Sequence, residues 1–543
     1  MIRGKAQREM TEKIKYQIKQ NATSRRERNQ ESMGRVINGE NVKGNFVVRF
    51  ESDIYEKLLD LDHGIQPGNP QPFLRPILEV SDYPIYDHIC SNFFSKASDY
   101  EIDFITKYLD YVFPSLFPFY RPAIFETGRS WLLSLLRHNR IAFHSALSLT
   151  SYFFTIALRD AYGDAYSDCT TELWSRLEKQ TDRCFEMIHT DMLDLNLRNK
   201  TATVLDKVYV MESVIQILMF EAVLGRSADW NLHLTAALAL FDEVLSGVDS
   251  HNSKMISLLH SIGTPFWYKA EYDHYMWNPD QAGFRFFAAL LIFIDIIAST
   301  ALAQPPRLSP YHSDLLANQD DGAPILGFTH LRLSAVIGCQ NSVIVSIGQI
   351  AALYAWKQSV KRKGRLQILE VVERAARISA SLNSTLATFD SKESLQPPEL
   401  PLNLPFQSYA VRSGASASFI TTTRIWIHAA QVYLAVVVSG WQPSDAEVRG
   451  GVSRILKLLH NVPSNHIRTL AWPLCVAGCL ASVNQEQEFR DIFTAKKEVE
   501  LVGSLNEARR VMEKVWQSRM TLDTATWDLT TCFSILGKPV LLI

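Results

Sequence analysis

Residues 286–306 read FFAALLIFIDIIASTALAQPP. The eighteen residues from Phe286 to Ala303 carry one charge, Asp295, before the chain meets Pro305-Pro306. Such a stretch is either a membrane span or a helix buried inside protein, and the fold turns on which. Its length lies near the lower limit for crossing a hydrocarbon core. A carboxylate near the centre costs about 2.5–3.5 kcal/mol on the insertion scale. The ten Leu, Ile and Phe residues of the stretch, at about −0.3 to −0.6 kcal/mol each, barely outweigh it. Hydropathy within the stretch does not decide.

The rest of the chain weighs against a membrane. Its 543 residues are 47% hydrophobic and 21% charged, with a net charge of −2, an ordinary soluble, intracellular profile. The next most apolar segments, VIVSIGQIAALYAW (343–356) and HAAQVYLAVVVSGW (428–441), are shorter and carry polar residues. The opening MIRGKAQREMTEKIKYQ is charged and lacks an apolar core, so no secretory signal is expected there. The net charge excludes a field strong enough to hold nucleic acid by itself. A chain of this length exceeds one compact core, which predicts several domains or one extended helical array.

Helical periodicity dominates from about residue 80. YVMESVIQILMFEAVLG (209–225) places Val210, Val214, Ile217, Leu218 and Phe220 broadly on one side and stops at Gly225. Asp229 is suited to cap the helix that follows, and Ser444 with Glu447 forms a capping box ahead of VRGGVSRILKLL. Strand signals are sparse. The Pro-rich breaks at 304–325 and 395–406 predict loops between helix groups. The fold class is therefore all-α, a multi-helix array. Upstream, residues 1–40 hold ten Lys or Arg against five acidic residues, and Met10, Ile14 and Ile18 permit a short amphipathic helix before a disordered stretch. Residues 51–62, ESDIYEKLLDLD, are acidic and hydrophobic, and a turn-rich linker follows. The expected division is a basic N-terminal segment, 1–75, and a helical domain, 76–543.

The chemistry-bearing templates fail. There is no phosphate-binding Gly-rich loop, no G-x-G-x-x-G, no H-E-x-x-H and no G-x-S-x-G. His138 and His144 flank a helix start and read as surface or core residues. The seven cysteines (Cys90, Cys169, Cys184, Cys339, Cys475, Cys479 and Cys532) form no C-x2-C pair and read mostly as buried reduced thiols. Cys475 and Cys479 share one helix face, without a cluster nearby to complete a metal site. No catalytic residue, metal site or cofactor is expected. The one candidate surface is KQSVKRKGR (357–365), whose Lys361, Arg362, Lys363 and Arg365 form a nuclear-import patch or a phosphate-contacting surface. The alternative is a solvated helix end, where cations favour the C-terminal dipole and Gly364 stops the helix.

Several blocks carry a family resemblance. ITKYLDYVFPSLFPFY (105–120) and GRSWLLSLLRHNRIAFHSALSLTSYFF (128–154) resemble the opening of the regulatory domain of fungal-specific transcription factors. The subfamily is the one that includes the acriflavine sensitivity control protein. FEAVLGRSADWNLHLTAALALF (220–241), the stretch at 286–306 and IGCQNSVIVSIGQIAALYAWK (337–357) are similar to later blocks, with Ser342 where Trp is expected. VYLAVVVSGWQPSDAEVR, LAWPLCVAGCLAS, VMEKVWQSR and the terminal WDLTTCFSILGKPVLLI follow in the family's order. The resemblance spans about residues 80–543 and implies that 286–306 is a buried helix with Asp295 paired inside, with no membrane contact.

Members of that family usually carry an N-terminal binuclear zinc cluster of six closely spaced cysteines, and this chain has none before Cys90. No DNA-binding residue is therefore identifiable. The resemblance implies a nuclear transcriptional regulator, read here as a co-regulator working through a DNA-bound factor or the transcription machinery. DNA contact would be indirect, a homo- or heterodimer stays open, and a secondary-metabolite gene cluster is the expected setting. A small-molecule pocket between helices is open too. Two alternatives stand beside it. One is a zinc-cluster factor whose DNA-binding exon is missing from this sequence. The other is a helical scaffold or enzyme without a recognisable motif.

Overall fold

The computed structural model describes residues 99–543, apart from 123–127, 163–166, 199–200, 226–229, 248–253, 270–273, 318–329, 393–412, 496–502, 522 and 524–525. Contacts divide the chain into 1–79 and 80–543, and the described residues belong to the second unit. The readings made for residues 1–98, the Asp229 cap and the loop at 395–406 lie outside the described residues.

Helix α1 (Asp99–Lys107) runs into a widened turn, Tyr108–Val112, and the short α2 (Phe113–Leu116). Pro114 explains the widening. It has no N–H to return to the Asp110 carbonyl, and its ring crowds that carbonyl. Helices α3 (Ser130–His138) and α4 (Arg140–Tyr162) meet at Asn139, whose side chain accepts from the Ala142 N–H at 2.9 Å. Next come α5 (Ser167–Arg198), α6 (Val204–Leu224), α7 (Trp230–Ser246) and α8 (Lys254–Ile262). A small antiparallel pair, β1 (Trp267–Lys269) and β2 (His274–Met276), interrupts the helices.

Helix α9 (Pro279–Leu302) contains the opening stretch. Short α10 (His312–Leu315) and α11 (Ser334–Ile337) precede the long α12 (Asn341–Arg362) and α13 (Ile368–Lys392). Then follow α14 (Ser413–Ser439), α15 (Ala446–Leu459), α16 (Ala471–Cys479), α17 (Val483–Ala495), α18 (Gly503–Ser518) and α19 (Leu529–Phe533). Consecutive long helices pack in pairs, α4 on α5, α6 on α7, α12 on α13 and α14 on α15. The all-α multi-helix array is as the sequence predicts, with the β1–β2 ribbon a minor addition.

Helix α9 settles the opening question. Among the described residues it is the one helix long and apolar enough to cross a membrane, and protein encloses it. Every residue from Phe286 to Ala301 is buried, against α3, α6, α7, α8, α11, α12 and α19. A lipid-facing helix would present its apolar surface outward, whereas this one turns all of it inward. At about 1.5–3 kcal/mol per buried large side chain, its ten buried Leu, Ile and Phe residues contribute about 15–30 kcal/mol as an upper bound. Its start is fixed by a capping box: Asn278 Oδ1 accepts from the Gln281 N–H at 2.8 Å, and Gln281 Oε1 accepts from the Asn278 N–H at 3.0 Å. It ends on Ala303, held in the left-handed region at φ 55°, before Pro305 can continue it.

Two sequence readings change. Helix α6 is buried all round from Met211 to Leu224, not on one side, because α4, α5, α7, α9 and α18 surround it. Gly225 ends it at φ 66°, and its backbone lies so close to Gly503 that a Cβ on Gly503 would meet the Gly225 nitrogen at 1.9 Å. The cap of α15 is Asp445 rather than Ser444. The carboxylate accepts from both Glu447 and Val448 N–H groups at 2.8 and 3.3 Å, which a serine one residue earlier does not reach.

Candidate functional site

The polar groups inside the core are stitches between segments. Asp295 Oδ2 accepts from the Leu308 N–H at 2.8 Å, and the Arg307 N–H also bonds to this carboxylate. The partner of Asp295 is therefore the loop that returns after Pro305-Pro306. Burial outweighs these bonds and lifts its pKa to about 6. Asn341 at the start of α12 does more. Its Oδ1 accepts from the Leu333 N–H at 2.8 Å, and its Nδ2 donates to the Ala317 and Leu331 carbonyls at 3.0 and 3.1 Å. Three residues earlier, Gly338 takes φ 72° with Phe119 packed over it, where a Cβ would lie 2.3 Å from the ring. These contacts account for Gly338 and Asn341 in the Gly338-Cys339-Gln340-Asn341 block.

The two best-formed cavities each hold about 10 Å³ of free volume, room for about one water. One is aromatic, between Phe113, Phe117, Trp131 and Phe286. The other is a polar cleft where Tyr209 donates to Asp280 at 3.0 Å beside Glu212, Asn139 and His138. Burial, reinforced by the Asp280 charge, pushes the Glu212 carboxyl well above the usual carboxylate range. His138 thus reaches a polar cleft rim. His144 is packed where burial, Arg140 and Arg183 push its pKa down to about 4. Sequence reasoning missed Arg468. Its guanidinium is buried, donates to the Leu116 carbonyl and lies 5.6 Å over the Phe117 ring. Nothing in the linear pattern links positions so far apart.

Cys475 and Cys479 do share a face of α16, with sulfurs 3.9 Å apart. A third thiol, Cys532 of α19, interacts with Cys479, and the Trp527 Nε1 donates to its sulfur at 3.1 Å. No spacing in the linear pattern marks this third neighbour. Burial pushes Cys479 and Cys532 well above the ordinary thiol range, so they are inert packing groups. Among the described residues, no group of three or more His, Cys, Asp or Glu side chains is placed to hold a metal ion.

The basic run lies at the end of α12. Lys357 is spent on structure: its ammonium donates to the Val437 and Val438 carbonyls at the end of α14. Lys361, Arg362, Lys363 and Arg365 are exposed. Gly364 takes φ 66°, and the Arg365 N–H returns to the Val360 carbonyl at 3.1 Å, closing the helix. The structure thus brings the four sequence-singled cations together on one corner.

The described residues form an all-α array whose buried polar groups tie its own segments together. Residues 103–543 match the family described as fungal specific transcription factor domain, so the chain belongs to that family and is a transcriptional regulator. Transcription factor dibT of Pestalotiopsis microspora is 37% identical over 444 residues, covering 80% of this chain and 70% of that protein. Pestheic acid cluster transcriptional regulator 3 of Pestalotiopsis fici is 26% identical over 432 residues, 78% of this chain and 72% of that protein. The trichothecene biosynthesis transcription regulator TRI10 of Trichoderma arundinaceum is 24% identical over 438 residues, 78% of this chain and 93% of that protein. No solved structure matches.

Proposed function

We propose that this chain is a nuclear regulator of a fungal secondary-metabolite gene cluster, that it works by protein contact, and that it is not an enzyme. The observation that carries the setting is the set of relatives, several of them named for biosynthetic clusters. Protein contact is supported by a core with room for about one water in each of its best cavities and by the exposed basic corner on the surface. In this reading the chain is recruited by a DNA-bound factor or binds the transcription machinery, as a homo- or heterodimer partner, and touches DNA indirectly. Lys361, Arg362, Lys363 and Arg365 serve nuclear import.

A second reading has a zinc cluster, encoded by a missing exon, contact DNA directly. It is favoured by the matched regions covering only 70% and 72% of two relatives. Chromatin immunoprecipitation of the tagged chain, expressed from its own locus, tests the regulator reading. Discrete promoter peaks are expected at one gene cluster. No enrichment while that cluster is transcribed would overturn it. Changing Lys361, Arg362, Lys363 and Arg365 to Gln should reduce nuclear accumulation of a fluorescent fusion severalfold, and an unchanged distribution would remove the import role.

A further inference from the structure

The basic corner continues into an apolar one. Five residues separate α12 from α13, and the first two turns of α13 expose Ile368 at 74%, Leu369 at 70% and Val372 at 46%. Large apolar side chains this open usually stand alone on a surface. Here three adjoin four exposed cations, and no acidic residue intervenes between Lys361 and Leu369. Further along, Arg374 is occupied, bonded to Glu370 at 2.7 Å and stacked 4.0 Å over the Trp356 ring. The turn between the helices is tied by the Gly364 N–H to Lys361 carbonyl bond at 3.0 Å and by the Arg365 bond to Val360. Helices α12 and α13 also pack on each other, which holds the two halves of the patch in fixed relation.

We propose that this corner, Lys361 to Val372, docks an acidic amphipathic helix of a partner protein. The cations complement carboxylates on such a helix, and Ile368, Leu369 and Val372 receive its apolar face, the arrangement of helix-on-surface recognition. Phosphate contact alone would leave the three apolar side chains without a role. The assignment deepens the protein-contact reading above and rests on it for the partner's part in transcription.

The test uses the purified full chain and a synthetic fifteen-residue peptide with leucines on one helical face and carboxylates elsewhere. Fluorescence anisotropy should show affinity in the micromolar range, weakening as salt rises. Ile368→Ser with Leu369→Ser should weaken binding by about tenfold or more, as should replacing the four cations by Gln. An all-glutamate peptide of equal charge should bind at least about tenfold less well than the amphipathic one. These positions lie outside the core, so unchanged circular dichroism is expected. Peptide binding that ignores the Ile368→Ser, Leu369→Ser pair would overturn the proposal. So would equal binding of the all-glutamate peptide or tighter binding of a DNA duplex. Promoter occupancy separates the two readings. If the peptide fails while the chain still occupies promoters, docking alone falls. If the peptide binds while the chain occupies none, the regulator reading falls.

Discussion

Replacing Asp295 tests the central helix where charge and burial compete. Its folded-state pKa, raised from 3.8 to about 6 by burial, means that the folded chain holds a proton over a range where the unfolded chain does not. The associated stability is fully present below the unfolded value and is lost as pH rises through the folded one. The whole shift corresponds to about 3 kcal/mol, of which about 1.3 kcal/mol falls between pH 5 and pH 7. Asp295→Asn keeps an acceptor for the Leu308 N–H and cannot titrate. The stability of the natural chain relative to this variant should therefore rise by about 1.3 kcal/mol on going from pH 7 to pH 5. Groups common to both chains, Glu212 among them, cancel in the difference. In urea unfolding, with a slope of about 4 kcal/mol/M for a chain of this size, the separation of midpoints should move by about 0.3 M. A separation that stays flat across this range would refute the reasoning.

The companion change, Asp295→Leu, makes the helix more apolar yet orphans the N–H of buried Leu308 and removes the bond from the Arg307 N–H. It should cost about 2–5 kcal/mol when measured at pH 5, where most of the buried charge is already neutralised. A membrane span would gain from the same substitution, so the sign alone separates the two readings of 286–306.

Other positions give direct checks. Asn341→Leu removes three buried hydrogen bonds and should cost about 3–6 kcal/mol, read as a lowered thermal midpoint and poor yield of folded chain. Gly338→Ala should cost about 2–4 kcal/mol, through its positive φ and the Phe119 ring, and Phe119→Leu in the same chain should recover part of it. Cys475, Cys479 and Cys532, buried as they are, should react slowly with a thiol reagent in the native chain and rapidly in urea. Fast native reaction would show the cluster to be open.

What could be read from the sequence was what short-range pattern controls. The all-α class, the stops at Gly225 and Gly364 and the single long apolar helix follow from periodicity and local backbone preference. Asp295 could be recognised as paired because a lone buried carboxylate is too costly, but its partner could not be named. That partner is a pair of backbone amides beyond a double proline, and amides leave no mark in a side-chain pattern. The capping site of α15 was missed by one residue because Ser444 and Asp445 are both good caps, and geometry chose the carboxylate. The Cys532 contact and the Arg468 bond to Leu116 join positions 53 or more residues apart, which periodicity cannot relate. The basic corner was half legible: the sequence showed its charge, while its apolar half looked like any helix start until exposure was known.

The same division bears on how such a domain could act. Its distant blocks are tied to one another by polar bonds, three of them buried: Trp472 Nε1 to Thr300, Trp516 Nε1 to the Gly478 carbonyl and Ser504 to the Ile543 carbonyl, with Trp230 Nε1 to the Pro539 carbonyl partly buried. Each ties a late segment to an earlier one or to the chain's end, so the C-terminal residues are part of the core rather than an appendage. Breaking one leaves an orphaned buried group at about 1–3 kcal/mol. A core stitched in this way has little slack, and each of its best formed cavities admits only about one water. The corner at Lys361–Val372, fixed by the closed end of α12 yet outside the core, can change its charge or apolar contacts without disturbing the helices beneath it. That makes it the part of the fold where partner choice can vary while the array stays constant.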